Sequence, residues 1–271
     1  MRGRGRFILI IVAALALGLA GGAALAGAQS SDSRQSARGV FKDERPGKAT
    51  GVTLSIDYVN PDDPNAKPFA VEKVVTKLAR GARIDTSAPQ LCEASDAELM
   101  AQGAAACPPG SRVGGGEVDL DTGNPGPNRI IENDATLLNN AGELIFITES
   151  TNTPTQVRAV TRARVAGRKT INMVPPIPGT PPPDSFTALT RIQLLLASVS
   201  RGRGADRRNY ITTPRSCPDD GAWTNQARFV YRDGVEQVVK GDSPCREKRR
   251  GNGSGSNGSD GDRRSVNLVR E

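Results

Sequence analysis

Leu91 to Leu120 reads LCEASDAELMAQGAAACPPGSRVGGGEVDL, and its local chemistry decides what kind of domain surrounds it. Ser95-Asp96-Ala97-Glu98 has the spacing of a capping box: the Ser95 hydroxyl can accept from the Glu98 amide while the Glu98 carboxylate reaches back to the Ser95 amide. The spacing predicts a two-turn helix over Asp96 to Gln102. A helix of that length is marginal in water by itself, so the flanking Cys92 and Cys107 read as its brace. Pro108-Pro109-Gly110 stops it, and Gly114 to Gly116 let the backbone bend into a strand over Glu117 to Leu120. The stretch is a stapled corner at the edge of a β-domain.

The chain on both sides supports that class. Val52, Leu54, Ile56 and Tyr58 alternate with Thr53, Ser55 and Asp57, the period of a half-buried strand. Phe69 to Leu78 carries Val71, Val74, Val75 and Thr76 between Pro68 and Gly81, which favours strand over helix. Ile130–Leu138 and Glu143–Glu149 form a hairpin across Asn139-Asn140-Ala141-Gly142. Further strands are expected over Gln156–Val165, Thr170–Val174 and the apolar part of Phe186–Ser200. Asp233-Gly234 joins a closing hairpin of Trp223–Arg232 and Val235–Lys240. Many short strands with turn signals between them give an all-β fold, mostly an antiparallel β-sandwich, with one short disulfide-braced helix and a disordered tail. Pro175 to Pro183 has six prolines in nine residues and reads as a polyproline-like crossover, with a division into two sub-domains near 175–185 as the alternative.

The ends differ from the middle. Arg2, Arg4 and Arg6 precede an apolar run from Phe7, and Ala26-Gly27-Ala28 is a small-residue cleavage site, the anatomy of a signal peptide over 1–28. Retained, the same run is long enough to tether the chain in a membrane. Residues 29–49 are polar and read as a flexible tether, 50–245 as the β-rich domain, and 246–271 as a Gly/Ser/Arg-rich tail with no means of building a core. The formal net charge of the 271-residue chain is +7, but leader and tail hold nearly all of it, leaving about +1 for residues 29–245. Arginines outnumber lysines 28 to 8, a bias that a GC-rich genome produces by composition alone.

Export sets the reading of Cys92, Cys107, Cys217 and Cys245. An even count in an oxidising compartment means disulfides, and three pairings are possible. Cys92–Cys107 and Cys217–Cys245 fit best, because each pair brackets one compact unit. Each closes a loop whose restriction is worth about 3–4 kcal/mol in the chain-entropy model. Zinc is disfavoured, since the chain has no His and no CxxC pair.

Two motifs carry a resemblance. Cys107-Pro108-x-x-Ser111-x-Val113-Gly114, preceded by Cys92, and Thr213-Pro214-x-x-Cys217-Pro218, followed by Trp223, Phe229, Asp233-Gly234 and Pro244-Cys245, are similar to a pattern in uncharacterised secreted proteins of high-GC actinobacteria. The resemblance implies an exported, β-rich, disulfide-bonded product. It implies no activity, cofactor or catalytic residue.

The chemistry the chain can carry is restricted. Without His, no Ser-His-Asp or Cys-His arrangement forms. Asp57, Asp119, Asp121, Glu132 and Glu149 are the carboxylates from which a glycosidase pair would be drawn, but on strands such residues normally line a solvated face. Asp119-x-Asp121-x-Gly123-Asn124 departs from a calcium loop at its later positions and reads as a turn. The Arg201–Arg208 loop and the basic tail suit an anionic surface or cell-envelope polymer better than nucleic acid, given so few aromatics. Trp223 is expected in the core beside Cys217 and Cys245. No enzyme, cofactor or metal is expected. The leading expectation is a non-catalytic secreted or cell-envelope structural or binding protein; the alternative is a carbohydrate-binding or carbohydrate-active domain.

Overall fold

The computed structural model describes residues 33–247. Residues 1–28, read above as a signal peptide, and the tail beyond 247 lie outside the described residues. In chain order the elements are β1 (Gln35–Phe41), β2 (Val52–Tyr58), β3 (Val71–Lys77), β4 (Arg83–Ile84), α1 (Asp96–Gln102), β5 (Arg112–Asp121), β6 (Ile130–Asn140), β7 (Glu143–Ser150) and β8 (Arg158–Ala166). They continue with β9 (Lys169–Met173), β10 (Ala188–Leu196), β11 (Ser200–Arg201), β12 (Arg208–Asn209), β13 (Ile211–Thr212), β14 (Ala222–Tyr231) and β15 (Glu236–Pro244).

Eleven of these strands make one sheet in the order β1-β2-β10-β5-β6-β7-β8-β9-β3-β14-β15. Every neighbouring pair is antiparallel. The fold is therefore all-β and antiparallel, as the alternation requires, and its two walls come from one curled sheet, between barrel and sandwich. Strands from both sides of the proline-rich segment belong to this sheet, with β10 seated between β2 and β5.

The sheet curls until its two end strands meet. The Phe41 amide donates to Ser243 Oγ at 2.9 Å, the Arg34 amide to Gln237 Oε1 at 3.0 Å, and Asn225 Nδ2 to the Gly39 carbonyl at 2.8 Å. Residue numbers rise together along β1 and β15, so this closing pair runs parallel. That follows from parity: an odd number of alternating strands brings two of the same direction face to face. Among the described residues no β-ladder joins β1 to β15, and side chains bridge the seam instead.

The inner face carries the main core. Phe41, Ile56, Leu137, Leu144, Trp223 and Phe229 are buried there. Phe41 meets Trp223 edge-on at 5.5 Å and Tyr58 meets Phe229 at 5.8 Å. The short β4–β13 ribbon closes one end of the barrel: the Thr50 amide donates to the Ile211 carbonyl, the Ile84 amide to the Gly167 carbonyl, and Tyr210 and Ile211 enter the core. On the outer face a second cluster joins Leu99 and the Cys92–Cys107 pair to Leu138, Ile145 and Ile147. β6 and β7 are thus buried on both sides, which explains their unbroken apolar runs.

Two expectations need correction. Residues 35–41, assigned to a flexible tether, form β1, so the domain begins before residue 50. Inward positions Gln35, Ala37 and Gly39 are too small or polar to give a hydrophobic alternation, and only Phe41 shows it. Gly114 to Gly116 do not precede the strand; they lie within β5. Neighbouring strands pass too close for a side chain: a Cβ on Gly116 would stand 1.9 Å from the Gln193 carbonyl oxygen of β10, at a φ of +154°, and one on Gly115 2.8 Å from the Ala135 carbonyl oxygen of β6.

Candidate functional site

The curled sheet is wider than its inward side chains can fill. An eight-stranded barrel is just filled by its interior residues, and a wider one leaves space. Here several inward positions are also small: Ala37 and Gly39 on β1, Thr76 on β3, Thr170 on β9, Ala227 on β14 and Gly241 on β15. The result is a cavity of about 140 Å³ along the barrel axis, walled by residues such as Leu54, Phe146, Leu194 and Val239. It runs from Ile56, Val174 and Leu189 at one end to Leu196, Ile84 and Ile211 at the ribbon end. At Gly39 a Cβ would meet only Leu54 Cδ1, at 4.0 Å, so the wall there is open.

The polar groups in this wall are few. Asn225 is satisfied on both sides of its amide: Oδ1 accepts from the Ala79 amide at 2.8 Å and Nδ2 donates to Gly39. The hydroxyls of Thr76 and Thr170, opposite each other across β3 and β9, pair with one another. Asn172 differs. Its neighbours across the ladders are Ala163 on β8 and Val74 on β3, neither of which can hydrogen-bond through its side chain. Its Oδ1 is buried with no hydrogen-bond partner. An unpaired buried polar atom costs about 1–3 kcal/mol.

The carboxylates named from the sequence lie elsewhere. Asp57, Asp119 and Glu132 share one transverse row on the outer face, with Arg191 opposite both Asp57 and Asp119, and Glu132 opposite Asp119. Arg191 Nε donates to Asp119 Oδ2 at 2.9 Å. Glu149 is paired with Arg158 at 2.5 Å. Asp121 accepts from the Gly123 amide at 2.8 Å and pairs with Arg129 at 3.0 Å, which makes Asp119-x-Asp121-x-Gly123 a turn anchored by a carboxylate. Asp119, Asp121 and Glu149 are neutralised by arginines of adjacent strands or loops, and the five carboxylates do not converge on a cleft. Among the described residues no three His, Cys, Asp or Glu side chains form a metal-binding group.

The cysteines are paired Cys92–Cys107 and Cys217–Cys245, and none of the described cysteines is free. The first pair holds α1, whose capping box is present in both directions. Hydrogen bonds from the Ser95 amide and hydroxyl hold the Glu98 carboxyl below the usual carboxylate range. The second pair closes the base of the β14–β15 hairpin beside Trp223, which is 2% exposed and donates from Nε1 to the Ser216 carbonyl at 2.9 Å. Two disulfides are the mark of an oxidising, extracellular-type environment. No helix among the described residues is long and apolar enough to cross a membrane. The Arg201–Arg208 segment lies on the surface around the β11–β12 ribbon.

Sequence reasoning missed the cavity and Asn172. Six small inward residues on five strands leave no local pattern, and β9 turns polar Thr170 and Asn172 inward while apolar Ile171 and Met173 face outward, so its alternation points away from the core. No family model, no curated protein and no solved structure matches the chain.

Proposed function

We propose that this chain is an exported, non-catalytic binding protein of the cell envelope or extracellular space, and that its barrel interior holds a small apolar ligand. The observation that carries this reading is the apolar cavity of about 140 Å³ along the barrel axis. A dry cavity of about 150 Å³ lined by Leu, Ile and Phe takes up benzene, so the volume suits a molecule of that order. The two disulfides, the signal-like leader and the resemblance to secreted actinobacterial proteins all support the export part of the proposal. A carbohydrate-binding role draws little from the aromatic side chains. Trp223, Tyr58, Tyr210 and Tyr231 are all buried, so none is a platform on which a sugar ring stacks.

The test is calorimetric melting with benzene, cyclohexane or hexane near aqueous saturation. A ligand that binds only the native state raises Tm by mass action. The wild-type chain is expected to show that rise. Gly39→Leu places a side chain where the wall is open, at a backbone conformation that any residue adopts. It is expected to remove the response while keeping or raising the basal Tm by a few degrees, as cavity filling does. A wild-type chain whose melting ignores all three hydrocarbons would overturn the reading.

A further inference from the structure

We infer that the ligand of the barrel cavity is a small alcohol or phenol: an apolar body of benzene-like size carrying one hydroxyl, which pairs with the carboxamide of Asn172. This inference rests on the binding role proposed above and adds the polar end of the ligand to it. Asn172 faces inward between Ala163 and Val74 and lines the cavity. Its Oδ1 is buried and has no partner in the protein. The nearest hydroxyls along the same strands, Thr76 and Thr170, already take each other. The other cavity carboxamide, Asn225, already accepts from Ala79 and donates to Gly39.

The wall therefore offers an incoming molecule mostly apolar surface, with paired polar groups at Thr76, Thr170 and Asn225 and one unpaired carboxamide oxygen at Asn172; Lys77 and Gln226, opposite each other in the lining, alternate with inward Thr76 and Ala227 and so turn their side chains outward. A hydrocarbon fits the surface and leaves Asn172 unpaired. A charged group fits neither, since the lining near Asn172 holds no counter-charge and burial of an unpaired ion is prohibitive. A hydroxyl both donates and accepts, so it satisfies Asn172 whichever way the carboxamide is turned, at the expense of only one small polar group on the ligand. An apolar pocket with a few placed polar groups is the usual form of a small-molecule site, the polar groups setting orientation and specificity.

The experiment is titration calorimetry of matched pairs, phenol against benzene and hexan-1-ol against hexane, on the wild-type chain and on Asn172→Leu. The leucine removes the polar group at similar volume. If Asn172→Leu does not fold, Asn172→Val takes its place, being β-branched like the neighbouring Val74. The readout is the change in Kd on substitution for each member of a pair, so that the different solubilities of the ligands cancel. The hydroxylated member is expected to lose roughly three- to tenfold more affinity than its hydrocarbon partner, the value of one hydrogen bond. Equal losses for both members, or none for either, would mean that water or the protein itself serves Asn172; the alcohol inference then fails while the apolar-cavity reading stands. If neither member of either pair binds the wild-type chain, the cavity reading fails and takes this inference with it.

Discussion

At the scale of single residues, the seam between β1 and β15 depends on very few atoms. Elsewhere in the sheet a strand is held by a ladder of backbone hydrogen bonds, so one lost partner is diluted among many. At the seam, Ser243 Oγ is the acceptor for the Phe41 amide, and both residues are almost fully buried. Ser243→Ala leaves that amide facing an alanine methyl group with no water to replace the acceptor. The expected cost is about 1–3 kcal/mol. It should appear in urea unfolding as a lower midpoint with an unchanged slope, since the surface exposed on unfolding is the same. A midpoint within error of the wild type would show that the seam is held by packing of Phe41 on Trp223 rather than by this bond.

At the scale of elements, α1 and the loop around it are a module laid on the outside of the barrel. Leu99 is its buried anchor, and Arg162 ties it down by donating to Asp96 Oδ1 at 2.7 Å and to the Ala94 carbonyl at 2.8 Å. The Cys92–Cys107 bond closes a short loop within this module and does not connect it to the barrel. Replacing both cysteines by Ser should therefore loosen the module first. Amide exchange in Asp96–Gln102 is expected to quicken by a hundredfold or so, with global stability falling by up to about 3 kcal/mol. An unchanged melting temperature would sink the staple reading. Much of this module was legible in advance, because a capping box, a bracketing cysteine pair and a proline stop are all local signals. β2, with its clear alternation, and β3, with its β-branched run, were equally legible, and so was the β14–β15 hairpin with its Asp-Gly turn. β1 was not, because a strand whose inner face is Gln35, Ala37 and Gly39 looks like linker until its neighbours are known. The docking of α1 left a trace that could have been used: Leu137-Leu138 and Leu144 to Ile147 are apolar on consecutive residues, which a strand shows only when both of its faces are covered.

At the scale of the whole molecule, the barrel has an odd number of strands, and the cavity and the seam both follow from its closure. Neither is written in any one segment, since closure depends on the order in which distant strands pair. The same closure isolates all three tyrosines of the chain. Burial pushes the hydroxyls of Tyr58, Tyr210 and Tyr231 above their ordinary value, desolvation being the first cause for each. For Tyr58 the neighbouring Tyr231 adds to the shift, and for Tyr231 the nearby Arg34 opposes it. An unfolded tyrosine ionises near pH 10. Because the native values are raised, the native state holds its protons where the unfolded chain releases them. The resulting stability is complete below about pH 10 and declines as pH rises from there toward the native values. Two results are expected from one alkaline titration. Tyrosinate absorbance at 295 nm should stay flat through pH 10, where free tyrosine is half ionised. It should then rise for all three rings together, in step with the loss of far-ultraviolet β signal, because ionisation must wait for the barrel to open. A gradual rise centred near pH 10 with the β signal intact would mean that water reaches these hydroxyls in the native state, and that the sheet does not close as a single cooperative wall.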